Sequence, residues 1–143
     1  LPSPLGEVVA VASEHDATAG TERGPNTIFV FELGGLRVCH FGDFGQRALR
    51  EEQREAIGPV DLLFLPVGGG PTMGAELAAR VARELEPSWV VPMHYRTERI
   101  GFLDPVDGFL ERMGPVVRPG APEFDTAALE PGAEPLTVVP EAP

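Results

Sequence analysis

The chain has 143 residues, with 22 acidic against 11 basic side chains and a formal net charge of -11 at pH 7. This length fits one domain with a core of its own, so residues 1–143 are expected to form a single unit. The acidic balance argues against nucleic acid and anionic membranes as partners, because both require a clustered positive face.

Cys39 is the one cysteine of the chain. It excludes an internal disulfide framework and a cysteine-based zinc cluster, and it suits a reducing compartment. No apolar run reaches the about 20 residues of a membrane span, and no charged and then apolar leader opens the chain. We therefore expect a cytoplasmic protein. The sequence starts at Leu1, close to a strand-like run and without an initiator methionine, which favours a piece of a longer protein.

The amino-terminal part of the chain predicts three strands. Residues 8–12 are apolar and β-branched and lead into a polar group, so a buried strand is expected to end near His15. Residues 27–33 and 36–41 flank two glycines, which predicts a β-hairpin with a glycine turn. Asp43 follows this hairpin between glycines, where the backbone can turn sharply and approach a ligand.

The middle of the chain predicts a surface helix and then a strand–helix–strand unit. Residues 46–58 are mostly polar and end in Gly-Pro, as a surface helix would. Residues 61–67 and 88–92 read as buried strands, the second ending at His94. Thr72 can cap the helix between them. That helix should direct one apolar ridge at the core, formed by Met73, Leu77, Val81 and Leu85.

The carboxyl-terminal part predicts one more helix and one more strand. Residues 105–114 fit a last helix, and the tail rich in Pro, Glu and Ala holds a strand candidate at 136–139. The hairpin requires antiparallel pairing, whereas the strand–helix–strand unit requires a parallel pair. The sequence therefore predicts an α/β fold with a mixed sheet and flanking helices.

Three side chains that could bind a metal follow predicted strands: His15, Asp43 and His94. A lone histidine is more often a surface or packing residue, so each position alone indicates little. Their convergence at strand ends is what favours chemistry, because open sheets place their sites there. Imidazole and carboxylate are ligands for zinc, manganese or iron. His40 lies within a predicted strand and is expected to pack or to support a ligand from behind.

The order of three quoted segments resembles the metallo-β-lactamase fold superfamily, and within it the small metal-dependent hydrolases of the ascorbate-6-phosphate lactonase-like branch. The segments are SEHD, RGPNTIFVFELGGLRVCHFGDFG and VDLLFLPVGGGPTMGAELAARVARELEPSWVVPMHYRTE, and they cover residues 8–98. The resemblance implies that His15 is a metal ligand, that Asp43 bridges two metals and is catalytic, and that His94 binds the second metal. It also implies hydrolysis of an ester, lactone, amide or phosphoester by a metal-bound hydroxide, with zinc as the first choice and manganese or iron as alternatives.

The same resemblance implies that part of the fold lies elsewhere. Its members carry the motif H-x-H-x-D-H in an amino-terminal half, and that motif is absent from these 143 residues. We therefore expect the carboxyl-terminal half of an αββα sandwich, with a separate amino-terminal half as its partner and a small molecule as its substrate. Two alternatives stay open: a non-catalytic half-domain or interaction module, and a mononuclear site completed by a second copy of the chain.

Three further residues near these motifs could contact the substrate: Thr72, Tyr95 and Arg96. Each has a simpler interpretation. Thr72 can act as a helix cap, Tyr95 as a packing residue, and Arg96 as a surface charge.

Overall fold

A computed structural model describes residues 2–3 and 6–142, and within them one mixed sheet organises the chain. The strands are β1 Pro2–Ser3, β2 Gly6–Glu14, β3 Pro25–Leu33, β4 Leu36–His40, β5 Leu62–Pro66, β6 Trp89–Met93, β7 Val116–Val117 and β8 Leu136–Val138. The helices are α1 Glu51–Ile57, α2 Ala75–Leu85 and α3 Asp107–Leu110, with a 3₁₀ turn at Thr126–Ala128. The strand order in the sheet is β1-β2-β3-β4-β5-β6-β8-β7.

The sheet changes from antiparallel to parallel pairing at β4. Strands β2, β3 and β4 are antiparallel neighbours, whereas β4, β5 and β6 run parallel. Strand β8 is parallel to both β6 and β7. The carboxyl ends of these five parallel strands therefore meet at one edge of the sheet. The predicted mixed sheet with flanking helices is confirmed, whereas its place as half of a larger sandwich stays a prediction.

The β3–β4 hairpin forms at the two glycines that predicted it. Gly34 and Gly35 adopt φ values of 58° and 80°, which side chains with a Cβ rarely accept. Strand β2 is longer than predicted and is not continuously buried. Val11 and Ser13 are buried while Ala12 between them is exposed, because antiparallel strands commonly cover one face only.

Helix α1 is shorter than the helix predicted for residues 46–58. The loop before it turns Gln46 inward, where its side-chain amide pairs reciprocally with that of Gln53 at 3.0 and 2.9 Å. Gln46 also accepts the backbone N–H of Glu14, and Gln53 donates to the carbonyl of Ala12. Two polar residues of the predicted surface helix thus fix α1 to β2, because buried amides are stable when fully hydrogen-bonded.

Helix α2 begins after the residue predicted to cap it. Gly74 is the N-cap, and the hydroxyl of Thr72 instead donates to the carbonyl of Gly69 at 3.2 Å. Val81 and Leu85 of the predicted ridge are buried within the helix, while Met73 is buried just before it. The helix stops at Glu86, which has a left-handed φ of 47° and precedes Pro87. Helix α3 is a single turn rather than the ten residues expected.

The two faces of the sheet carry separate apolar clusters. The face toward the helices holds the larger cluster, which includes Phe41, Phe44, Phe109, Ile28, Val30, Leu63, Leu65 and Val90. The opposite face holds Val38, Leu62, Val91 and Val138, covered in part by the carboxyl-terminal segment. Trp89 joins that segment to the sheet by donating its indole N–H to the carbonyl of Leu129 at 2.8 Å. Among the described residues, no helix is long and apolar enough to cross a bilayer.

Candidate metal site

The side chains of Asp43 and His94 meet at the carboxyl-end edge of the sheet. Asp43 Oδ1 lies 3.2 Å from His94 Nδ1. The two side chains are 52% and 41% exposed, so their lone pairs are accessible from solvent. Residues that follow two separate strands, β4 and β6, are thereby brought together, as their places after predicted strands lead one to expect.

Asp43 is held in place through its backbone. Its N–H donates to Oδ1 of Asn26 at 3.0 Å, and Nδ2 of Asn26 donates to Ser13 Oγ and to the carbonyl of Phe41 at 2.8 and 2.9 Å. Gly42 turns the chain with a φ of 58°, and a Cβ there would come within 2.6 Å of Asn26 Oδ1. Asn26 therefore positions the aspartate. The sequence did not predict this role, because a single asparagine beside a proline forms no recognisable motif.

His94 occupies a backbone conformation that is unusual for a residue with a side chain. Its φ is 50°, in the left-handed region where strain commonly marks a functional position. The N–H of Gly68 donates to the carbonyl of His94 at 3.0 Å. A Cβ on Gly68 would lie 2.2 Å from that carbonyl oxygen, so this close approach of the two backbones requires glycine at position 68.

His40 supports the site without joining the pair. Its Nδ1 accepts the N–H of Gly42 at 3.1 Å, and its ring stacks on Phe64 with centroids 5.8 Å apart. Burial lowers the pKa of His40, and the nearby His94 lowers it further, while the Asp43 carboxylate opposes both. The imidazole is therefore kept neutral, with its proton on Nε2, and it buttresses the turn that carries Asp43.

The backbone of His15 packs against Gly45, two residues after Asp43. Its N–H donates to the carbonyl of Gly24 at 3.1 Å, and a Cβ on Gly45 would lie 2.6 Å from the His15 carbonyl carbon. Among the described residues, no three His, Cys, Asp or Glu side chains form a group that could hold a metal ion. The metal-ligand role of His15, Asp43 and His94 therefore stays a prediction, as does catalysis by Asp43.

The donor chemistry of the pair fits one divalent cation. A carboxylate and an imidazole that face each other and are partly exposed can bind zinc, manganese or iron from one side. Such ions take four or more ligands, so the remaining positions would be filled by water or by other side chains. Asp43 and His94 thus match part of a coordination sphere.

The other reactive side chains near the pair have structural partners. Burial raises the pKa of the Cys39 thiol to about 12, so it is no nucleophile at neutral pH. Arg96 donates its Nε–H to the carbonyl of Leu103 at 2.8 Å, and Thr72 is bonded to Gly69. Of the three residues considered for substrate contact, Tyr95 alone lines a pocket described below.

Comparison with known proteins identifies the superfamily of the chain. The sequence profile of the beta-lactamase superfamily domain matches residues 6–94. The chain is 39% identical over 92 residues to a UPF0173 metal-dependent hydrolase of Thermococcus onnurineus, covering 64% of this chain and 41% of the relative. A second such relative, from Thermococcus kodakarensis, is 38% identical over 94 residues, covering 63% and 41% of the two chains.

A solved structure extends the likeness to nearly the whole chain. It is a candidate zinc-dependent hydrolase of the metallo-beta-lactamase superfamily from Thermotoga maritima, with a TM-score of 0.73 and 35% identity over 93% of this chain and 64% of that one. The fold is thus that of a metallo-β-lactamase-type domain. The chain belongs to the metallo-β-lactamase superfamily, and its homologues are named metal-dependent hydrolases. It spans about two fifths of the length of the curated relatives that it matches.

Proposed function

We propose that this protein is a metal-dependent hydrolase in which Asp43, His94 and His15 supply ligands from the carboxyl-terminal half of the domain. The observation that supports it is the Asp43–His94 contact of 3.2 Å between residues that follow separate strands. Zinc is the favoured ion, with manganese and iron as alternatives. The bond cleaved is an ester, lactone, amide or phosphoester, and the substrate is a small molecule.

The residues of this chain have distinct tasks in the proposed reaction. When bound, the ion supplies activation of water and polarisation of the scissile group. Asp43 and His94 would hold the ion, and Asn26 and Gly68 hold the backbones of these two residues. His40, neutral and hydrogen-bonded to Gly42, keeps the turn before Asp43 rigid. Pre-organisation of this kind avoids rearrangement when the ion and the substrate bind.

We also propose that the site is completed by a separate amino-terminal half carrying H-x-H-x-D-H. Two observations support this. The described residues include no group of three metal-binding side chains, and Phe29, on the sheet face opposite the helices, is 42% exposed. A second copy of the chain is the alternative source of ligands. If neither supplies them, the chain acts as a non-catalytic interaction module.

Metal titration of Asp43→Ala and His94→Ala tests the proposal. We expect wild-type protein, stripped and then titrated with zinc, to bind the ion by calorimetry, and each variant to bind it at least about 10-fold more weakly, since each loses a direct ligand. Asp107→Asn is the matched control, because Asp107 is an exposed carboxylate on α3.

The same variants are then assayed for hydrolysis of p-nitrophenyl esters and phosphates with the amino-terminal half present. Loss of turnover in Asp43→Ala, with unchanged turnover in Asp107→Asn, is the expected result. Turnover in Asp43→Ala equal to wild type contradicts the proposed role of the pair.

A further inference from the structure

A second concave site lies farther along the same edge of the sheet. It has a volume of about 670 Å³ and is lined by residues of three chain segments: Tyr95 with residues 97–99, Arg118 with Gly120, and residues 139–142. These segments follow β6, β7 and β8, so the pocket opens at the carboxyl ends of parallel strands. Open α/β sheets bind ligands at that position, and the volume suits a small metabolite.

The pocket carries two cationic side chains without partners. Within the described part of the chain, Arg99 and Arg118 take part in no ion pair and no side-chain hydrogen bond. The ion pairs formed there use the side chains of Arg50, Arg54, Arg80 and His94. In a protein of net charge -11, the two unpaired guanidinium groups offset the two glutamates of the same lining, Glu98 and Glu141.

Tyr95 connects this pocket to the Asp43–His94 pair. It is the residue after His94, and it lines the pocket together with Arg118. A ligand held by Arg118 would therefore lie against the loop that presents His94.

The lining also limits the charge of the ligand. Glu98 and Glu141 face the same space as the two arginines. A planar group with one negative charge can pair with the fork of an arginine, as a carboxylate does. A dianion such as phosphate would gain the same contacts but would be repelled more strongly by the two glutamates.

We propose that this pocket binds a carboxylate group of the substrate through Arg118 and Arg99, beside the residue that follows His94. The inference rests on the proposed function, because it assigns the pocket to the substrate of that site. It narrows the substrate class to small molecules that carry a free carboxylate apart from the bond that is cleaved.

The test is a titration of metal-free, ¹⁵N-labelled protein with acetate, followed by NMR at constant ionic strength made up with sodium chloride. Saturable shifts are expected for the amides of Thr97, Arg118 and Val139. In Arg118→Gln the acetate affinity should fall about 10-fold, the loss expected for one charge-assisted pair of about 1.4 kcal/mol. Arg80→Gln is the matched control, since Arg80 lies on α2 outside the pocket.

Three results would overturn the proposal. The first is a set of shifts identical to those caused by chloride alone. The second is wild-type acetate affinity in Arg118→Gln, with the fold of the variant verified by its spectrum. The third is tighter binding of inorganic phosphate than of acetate, which would show that the pocket prefers a dianion to a carboxylate. Glu141→Gln checks the charge argument, because it should strengthen phosphate binding more than acetate binding.

Failure of this inference can be told apart from failure of the proposed function. The acetate titration uses protein without metal, so it does not depend on the ligands of the ion. Asp43→Ala should keep the acetate response while losing zinc. Acetate binding without zinc binding would contradict the hydrolase proposal alone, and zinc binding without acetate binding would contradict the pocket alone.

Discussion

Asp16 holds the loop that follows His15. Its carboxylate accepts the backbone N–H groups of Thr18, Gly20, Glu22 and Arg23, together with the hydroxyl of Thr18. Burial would raise the pKa of Asp16, but these four backbone donors outweigh it and hold the pKa well below its ordinary value of 3.8. One carboxylate therefore replaces the regular backbone pairing that this loop lacks.

Asp16→Asn should lower stability in a way that depends on pH. The folded pKa of Asp16 lies below the unfolded value of about 3.9, so its contribution is fully present above that value and is lost as the pH falls toward the folded pKa. The urea midpoint of the variant should lie below wild type at pH 7, and the gap should narrow below about pH 4. A gap that stays constant down to pH 2 would contradict the role of the charge.

Sequence reasoning at this scale predicted the two residues that meet and missed what positions them. Asp43 and His94 were predicted because each follows an apolar strand, and the structure brings them together. Asn26 and the Gln46–Gln53 pair gave no signal, because hydrogen bonds between residues distant in sequence have no local pattern. The position of a buried amide follows from the packed fold rather than from its neighbours in the chain.

At the scale of elements, two glycines let strand ends approach the loops that carry the histidines. Gly68 follows β5 and lies against the backbone of His94, and Gly45 lies against the backbone of His15. Both contacts are too close for any other residue without a backbone shift. The backbone turns beside the two histidines therefore depend on the lack of a side chain at Gly45 and Gly68.

Gly68→Ala should weaken metal binding by moving His94. The added methyl would meet the His94 carbonyl, so the β6 corner must shift, at a cost of about 1–3 kcal/mol in unfolding free energy. Zinc affinity by calorimetry should fall about 10- to 100-fold, as it does when supports of a ligand are removed. Gly101→Ala is the control, because nothing lies within 4 Å of its added Cβ. Equal effects of both variants would contradict this account.

Elements with strong local signals were predicted well, and those shaped by tertiary contacts were not. The β3–β4 hairpin, β5 and β6 appear where glycine turns and apolar runs predicted them. Helix α1 was predicted too long because the polar residues before it are drawn inward by Gln53. Strand β7 was missed since two residues that pair with β8 have no periodicity to detect.

At the scale of the whole molecule, the sheet is covered unequally on its two sides. The helices bury one face, while the other is covered only in part, on its β6–β8 side. Toward β2 and β3 this second face has a pocket of about 640 Å³ whose apolar lining includes Val8, Phe29 and Phe31. His40 and Asp43 line the same space, so the open face leads directly to the candidate metal site.

If this open face is an association surface, Phe29→Thr should reduce association of the isolated chain. Phe29 is 42% exposed, and removing its ring takes away apolar area that a partner would bury, while threonine keeps the β propensity of the strand. Sedimentation velocity over a range of concentrations should show wild-type self-association that the variant weakens. Phe102→Thr is the control of the same residue type, because Phe102 is 78% exposed on a loop. A larger effect of Phe102→Thr would show that exposure alone drives association, and the face would lose its assigned role.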